Sequence, residues 1–220
     1  MHLWQVYDKF SFEFKSNTKS TMHSINFSKQ FSSLGESLQQ HIVSFFTPIT
    51  FEKDELLLKK GEISNKLFFI ESGIIAEYSE IESDSDFESN RIQTHWILGE
   101  NEWIFQVRSF LKNEPSDCTI RALEKVKAFY ISKKDYYEAQ NVLPQVMGLI
   151  NKIYERYLIQ LENRNQFHRI KSAAKRLEYF EKSQKNICNK VQMKYLASYL
   201  NISPSELSRI RNKRSPIKDL

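Results

Sequence analysis

Arg209 is preceded by Ser205 and Glu206 and followed by Asn212 and Lys213, a set of hydrogen-bonding side chains spaced for one face of a helix. Such a face can read base edges in a DNA major groove. The arginine fork matches O6 and N7 of guanine together, and a hydroxyl and a carboxylate beside it can discriminate neighbouring bases. Arg211, Lys213 and Arg214 supply positive charge for flanking phosphates. The helix carries its own start signal, with Ser203 as N-cap, Pro204 at the first helical position and Glu206 at the third, an S-x-x-E capping box. The candidate DNA-binding set is thus Ser203, Pro204, Ser205, Glu206, Ser208, Arg209, Arg211, Asn212, Lys213 and Arg214.

The wider segment Lys190 to Asn212, KVQMKYLASYLNISPSELSRIRN, fits a helix-turn-helix position by position. Leu196, Leu200, Ile202, Leu207 and Ile210 form a small core, Ala197 stands where two helices cross, and Asn201 occupies the turn position that needs a left-handed backbone. Charge agrees with this reading. From Arg164 onward there are 14 Lys/Arg and 4 Asp/Glu, a net of +10, against 18 basic and 23 acidic residues upstream, a net of −5. A basic tail behind an acidic front suits a partner made of phosphates. A helical hairpin that only packs is the structural alternative.

Other chemistries find little support. Two cysteines, Cys118 and Cys188, cannot build a disulfide framework, a zinc site or a cysteine-ligated iron–sulfur cluster, and the five histidines show no ligand spacing, so no metal and no cofactor are expected. No glycine-rich phosphate loop, nucleophile elbow or acid/base constellation marks an enzyme, and no catalytic residue is assigned. There is no run of apolar residues long enough to span a membrane and no secretory signal at the start, which predicts a cytoplasmic protein. Residues 1–30 are read as an extension, an added strand or a floppy arm, and Met22 is an alternative natural start.

The elements that must position the basic segment are of two textures. Leu34, Leu38, Ile42, Phe45 and Phe46 repeat with helical spacing. From Pro48 to Ser132, short apolar runs such as Leu67-Phe68-Phe69-Ile70 and His95-Trp96-Ile97-Leu98 alternate with turns, which predicts an antiparallel β-sandwich or roll. Gly61, Gly73 and Gly99 fall between these runs, and the acidic stretch Glu80 to Asn90 reads as a hairpin loop. Helical periodicity then returns. Leu143, Met147, Ile150, Tyr154, Tyr157 and Leu161 form a heptad seam, flanked by Val146, Ile153 and Leu158, that predicts a parallel homodimer; packing on its own β-domain is the alternative.

The order of roll, long helix and helix-turn-helix resembles the Crp/Fnr family of transcription regulators over about Phe31 to Arg214. Three stretches carry the resemblance: KKGEISNKLFFIESG (Lys59 to Gly73), PSDCTIRALEKVKAFYIS (Pro115 to Ser132) and YLASYLNISPSELSRIR (Tyr195 to Arg211). The last is similar to divergent Crp-like regulators of Bacteroidetes-type bacteria. The resemblance implies an α+β fold: an N-terminal antiparallel, jelly-roll-type cyclic-nucleotide-binding-like roll over 31–134, a long dimerisation helix over 135–166 and a helix-turn-helix domain over 167–220. It also implies a homodimer on a two-fold symmetric double-stranded DNA site, and RNA polymerase as a partner if the protein activates.

The family's nucleotide binders carry a Gly-Glu pair for the ribose and an Arg-Ser/Thr pair for the cyclic phosphate. Here those places fall on Phe105-Gln106 and Ser116-Asp117, so cyclic AMP and cyclic GMP are not expected as effectors. Gly99, Trp103, Phe105, Gln106, Ser116 and Asp117 are read as a degenerate ligand pocket, either collapsed on its own aromatics or open to an unidentified small molecule. A sensor signalling through protein contact is the alternative function.

Overall fold

The computed structural model describes residues 29–32, 35–81 and 91–214; the expected N-terminal extension and acidic loop fall almost wholly outside them. A short helix α1 (Glu36–Val43) leads into eight strands: β1 (Thr47–Phe51), β2 (Leu56–Leu58), β3 (Lys66–Ser72), β4 (Ile75–Glu80), β5 (Ile92–Leu98), β6 (Trp103–Ile104), β7 (Thr119–Ala122) and β8 (Val126–Ser132). Helix α2 (Val107–Lys112) lies between β6 and β7. Six helices follow: α3 (Lys133–Val142), α4 (Val146–Arg169), α5 (Ala173–Ser183), α6 (Lys185–Cys188), α7 (Met193–Tyr199) and α8 (Pro204–Arg214).

The strands form two antiparallel four-stranded sheets, ordered β1-β8-β3-β6 and β2-β7-β4-β5. Between them lies an interior of Phe51, Phe68, Ile70, Ile75, Trp96 and Ile120, among others. Neither sheet leaves its outer face bare. Leu67, Phe69, Phe129 and Ile131 of the first pack on α1, α3 and the start of α4. Ile74, Ala76, Tyr78 and Ile97 of the second share a core with Leu177, Phe180, Tyr195, Leu196 and Leu200 of the C-terminal helices. Burial on both faces explains why these strands read as unbroken apolar runs instead of alternating. The expected α+β class with an antiparallel jelly-roll-type sheet domain is the one observed.

Gly61 and Gly73 occupy the positive-φ positions expected of turn glycines, at 90° and 98°. Gly99 does not, and its role is packing. A Cβ there would stand 2.7 Å from Ile187 Cδ1, so the missing side chain admits α6 against the roll.

The single helix expected over 135–166 is two helices, α3 and α4, divided at Leu143 and Pro144. Proline lacks the N–H that would continue the ladder, and its ring drives the preceding residue out of the α region; Leu143 accordingly sits at φ −129°, ψ 81°. Among the described residues no helix is long and apolar enough to cross a membrane.

Thr94 Oγ1, on β5, is the one buried side-chain nitrogen or oxygen among the described residues without a hydrogen bond. Removing an unsatisfied hydroxyl recovers its desolvation cost, so Thr94→Val is expected to stabilise the fold by about 1 kcal/mol and raise Tm by a few degrees in thermal unfolding. A lower Tm would show that the hydroxyl is bonded.

Candidate nucleic-acid interface and the interior of the roll

Helix α8 is set by the turn before it. Asn201 closes α7 in the left-handed conformation, φ 52°, as its place in the sequence predicts. Ser203 Oγ then accepts from the Glu206 N–H at 3.1 Å and contacts Ser205 Oγ at 2.9 Å, so one half of the capping box is present. Leu207 is fully buried and Ile210 half-buried, which turns Ser205, Arg209, Asn212 and Lys213 outward. Ser203 and Pro204 are exposed, while Glu206 and Ser208 are half-buried. Arg211 departs from expectation. Its Nη2 donates to the Cys188 carbonyl at 3.2 Å, fastening α8 to α6, so one of its donors is engaged within the fold. The side chain of Arg214 lies outside the described residues.

A second guanidinium fixes this helix pair from behind. Arg176 on α5 donates to the carbonyl of Leu200 at 2.9 Å and to that of Ile170 at 2.6 Å, tying the end of α7 to the end of α4. In sequence Arg176 is one basic residue of many; only its carbonyl partners distinguish it.

At the α2 end of the roll, partly in contact with solvent, four of the six expected pocket residues lie together. Phe105 packs on Phe110 and Tyr157, with ring centroids 5.3 and 6.4 Å away. Gln106 caps α2 by accepting from the Ser109 N–H at 2.8 Å and donates to Asp117 Oδ1 at 3.3 Å. Ser116 Oγ bonds the backbone of Cys118. The other two are elsewhere: Trp103 packs outside the roll on Phe46 and Phe69, and Gly99 faces Ile187. A cavity of about 270 Å³ remains between Leu57, Leu58, Ser64, Phe68, Phe105 and Ile120.

The sequence reading missed Glu77, only 7 % exposed on β4. Burial raises its pKa to about 7, opposed by Arg164 and reinforced by Asp117. Burial, then the Glu77 charge, also pushes up the Cys118 thiol. Arg164 reaches from α4 to His95 Nδ1 at 3.2 Å and lies over the Trp96 ring at 5.1 Å. A carboxyl within the apolar run Ile74-Ile75-Ala76-Glu77-Tyr78 was the available signal.

Residues 48–141 match the cyclic nucleotide-binding domain family. Solved structures agree at the level of fold. FixK2 from Bradyrhizobium japonicum is 14 % identical, with 76 % of this chain and 83 % of that one covered and a TM-score of 0.63. The c-di-GMP-responsive global regulator CLP of Xanthomonas campestris is 12 % identical over 81 % and 91 %, at 0.63. A protein described as a transcriptional regulator of the Crp/Fnr family from Eubacterium rectale is 16 % identical over 83 % and 84 %, at 0.62. No curated protein sequence matches significantly.

The α2 end of this roll, where Gln106 and Asp117 meet, does not suit a cyclic phosphate. The exposed Asp117 bonds Gln106 at the place where the resemblance calls for a cation, and the buried Glu77 lies near enough for its charge to oppose that of Asp117. Arg108 does not compensate: it is exposed and paired with Glu114 at 2.6 Å, while the adjacent Ser109 hydroxyl is buried and accepts from the Ser64 N–H.

The domain also claims most of the heptad seam. Leu143 lies in the break before α4. Ile150 and Tyr154 pack with the first sheet and α3, where the Tyr154 and Tyr136 hydroxyls lie 2.7 Å apart. Tyr157 and Leu161 close on the roll interior. Met147 alone of the six is exposed, joined on the outer side of α4 by Leu158 and Ile159, which are 63 % and 59 % exposed. A heptad reports an apolar stripe, not what covers it, and here the roll covers it.

Proposed function

We propose that the chain is a sequence-specific DNA-binding transcription regulator of Crp/Fnr type, of the divergent Bacteroidetes-type subgroup, acting in the cytoplasm as a homodimer on a two-fold site without responding to cyclic AMP or cyclic GMP. The observation that carries this reading is α8. Its buried Leu207 and the left-handed Asn201 before it present Ser205, Arg209, Asn212 and Lys213 on one free face, the arrangement of a recognition helix. The basic C-terminal quarter and the Crp/Fnr-type neighbours support it. Asp117 in place of a phosphate-binding cation, with the buried carboxyl of Glu77 nearby, supports independence from cyclic nucleotides. The roll spans about 31–134, α4 is the dimer helix and the remaining helices form the reading head; RNA polymerase is a partner if the regulator activates.

Selection of bound fragments from random DNA tests the reading. A two-fold motif should emerge, with affinity falling steeply as salt rises. Arg209→Ala should cost about 1–3 kcal/mol at one symmetric pair of positions and relax the preference there. Enrichment of no motif, with no duplex binding at low salt, would return the chain to the alternative of a sensor signalling through protein contact.

A further inference from the structure

Among the described residues β5 is the last strand of its sheet, with no neighbouring strand on one side. The backbone groups along such an edge need partners, most of all where they are buried. Thr94 is fully buried. Its N–H donates to Ser198 Oγ at 2.8 Å, and the same hydroxyl donates to the carbonyl of Ile92 at 2.7 Å. A neighbouring strand would offer one carbonyl and one N–H at this place; a serine hydroxyl, donor and acceptor at once, replaces both with a single atom. Ser198 sits in the last turn of α7, and its hydroxyl is spent on the roll and not on its own helix.

Contacts on either side make this a seat. Gln93 Nε2 donates to Asn201 Oδ1 at 3.3 Å, and Asn201 Nδ2 lies 3.2 Å from His168 Nδ1 at the end of α4. The rings of Tyr78 and Tyr195 are 5.5 Å apart, and Ile187 fills the space left open at Gly99. β5 is meanwhile held by α4, through Arg164 on His95 and Trp96. One strand thus touches the long helix with its side chains and the reading head with its edge.

We propose that Ser198 is a positioning residue that seats the reading head on the roll by completing the free edge of β5. The orientation of α8 relative to α4 is then set by a strand of the sensor domain and not by a free hinge at Ile170. In a dimer the same seat fixes how far apart the two recognition helices stand, a consequence that rests on the DNA-binding reading. The seat itself does not.

The test uses the full chain without DNA, carrying Ser198→Ala or Ser198→Thr. Amide hydrogen exchange at Thr94 should quicken by about tenfold in Ser198→Ala, the size of one lost hydrogen bond, and return towards the parent in Ser198→Thr, which keeps the hydroxyl. Spin labels at Lys127→Cys on the roll and Lys213→Cys on α8, in chain mixed with a large excess of its unlabelled counterpart so that distances within one protomer are read, should report one narrow distance in the parent, a broadened one with Ser198→Ala, and a narrow one again with Ser198→Thr. Unchanged Thr94 exchange, or an unchanged distance distribution in Ser198→Ala, would overturn the proposal. DNA selection with the parent chain reads the other hypothesis separately: a failed selection with a quickened Thr94 amide sinks the DNA reading and leaves the seat standing.

Discussion

A chain with Leu158 and Ile159 both replaced by glutamate is expected to sediment as a monomer and to lose at least about a hundredfold in affinity for a two-fold DNA site, the usual return of joining two binding modules. The inner side of α4 is committed to the roll through Ile150, Ile153, Tyr157 and Leu161. What remains outside is Met147, Leu158 and Ile159. Met147 and Leu158 are eleven residues apart, three turns of helix, and so share one face. Burying such side chains is worth roughly 1.5–3 kcal/mol each, and a two-fold pairing of α4 buries both copies. Four carboxylates in that seam would have to shed water and would repel one another. Because neither residue belongs to a core cluster of the chain itself, the variant should fold with the parent's Tm at low concentration, where the parent too is dissociated. A dimer that survives both substitutions would place the interface elsewhere.

How far the sequence could be read depended on whether a residue's role is local. Asn201 in a left-handed turn and Ser203 as a helix cap follow from residue type and neighbours, and both were legible. So was the break at Pro144, whose chemistry is unconditional, yet the heptad count ran across it. The strands were legible as apolar runs, but a run buried on both faces carries no alternation to say which side is inward. Trp103 and Gly99 were therefore assigned to the interior when they face outward, onto Phe46 beyond α1 and onto Ile187 of α6. The structural part played by Arg211 was hidden for a related reason. Helical period gives its direction, but only the fold places the Cys188 carbonyl there to receive it. Ser198 was out of reach altogether, since its partners lie more than a hundred residues away on β5.

The acid–base behaviour of the roll should turn on Glu77. An ordinary glutamate titrates near 4.5, and burial raises this one to about 7. Below pH 4.5 the carboxyl is protonated in both folded and unfolded chains and costs nothing. Between 4.5 and 7 the folded chain keeps a proton that the unfolded chain has released, so its contribution to stability falls as pH rises, and above 7 the loss is complete. The full effect is about 3 kcal/mol, opposite in slope to that of a carboxylate held by a salt bridge. Glu77→Gln should therefore be more stable than the parent by about 2–3 kcal/mol at pH 8 and by under about 1 kcal/mol at pH 5, read from urea unfolding at each pH. The surrounding groups do not imitate this slope. His95 on β5 is pushed below its usual 6.5 by burial and Arg164, so its own contribution falls as pH drops, the reverse direction. Burial pushes the Cys118 thiol up and out of the range, and likewise raises Tyr157 on α4. Glu77 also lies on the strand paired with β5, so a proton gained or lost there acts one strand away from the edge that Ser198 completes. Parent and Glu77→Gln chains with the same stability difference at pH 5 and pH 8 would mean that the carboxyl meets a donor or a cation when folded.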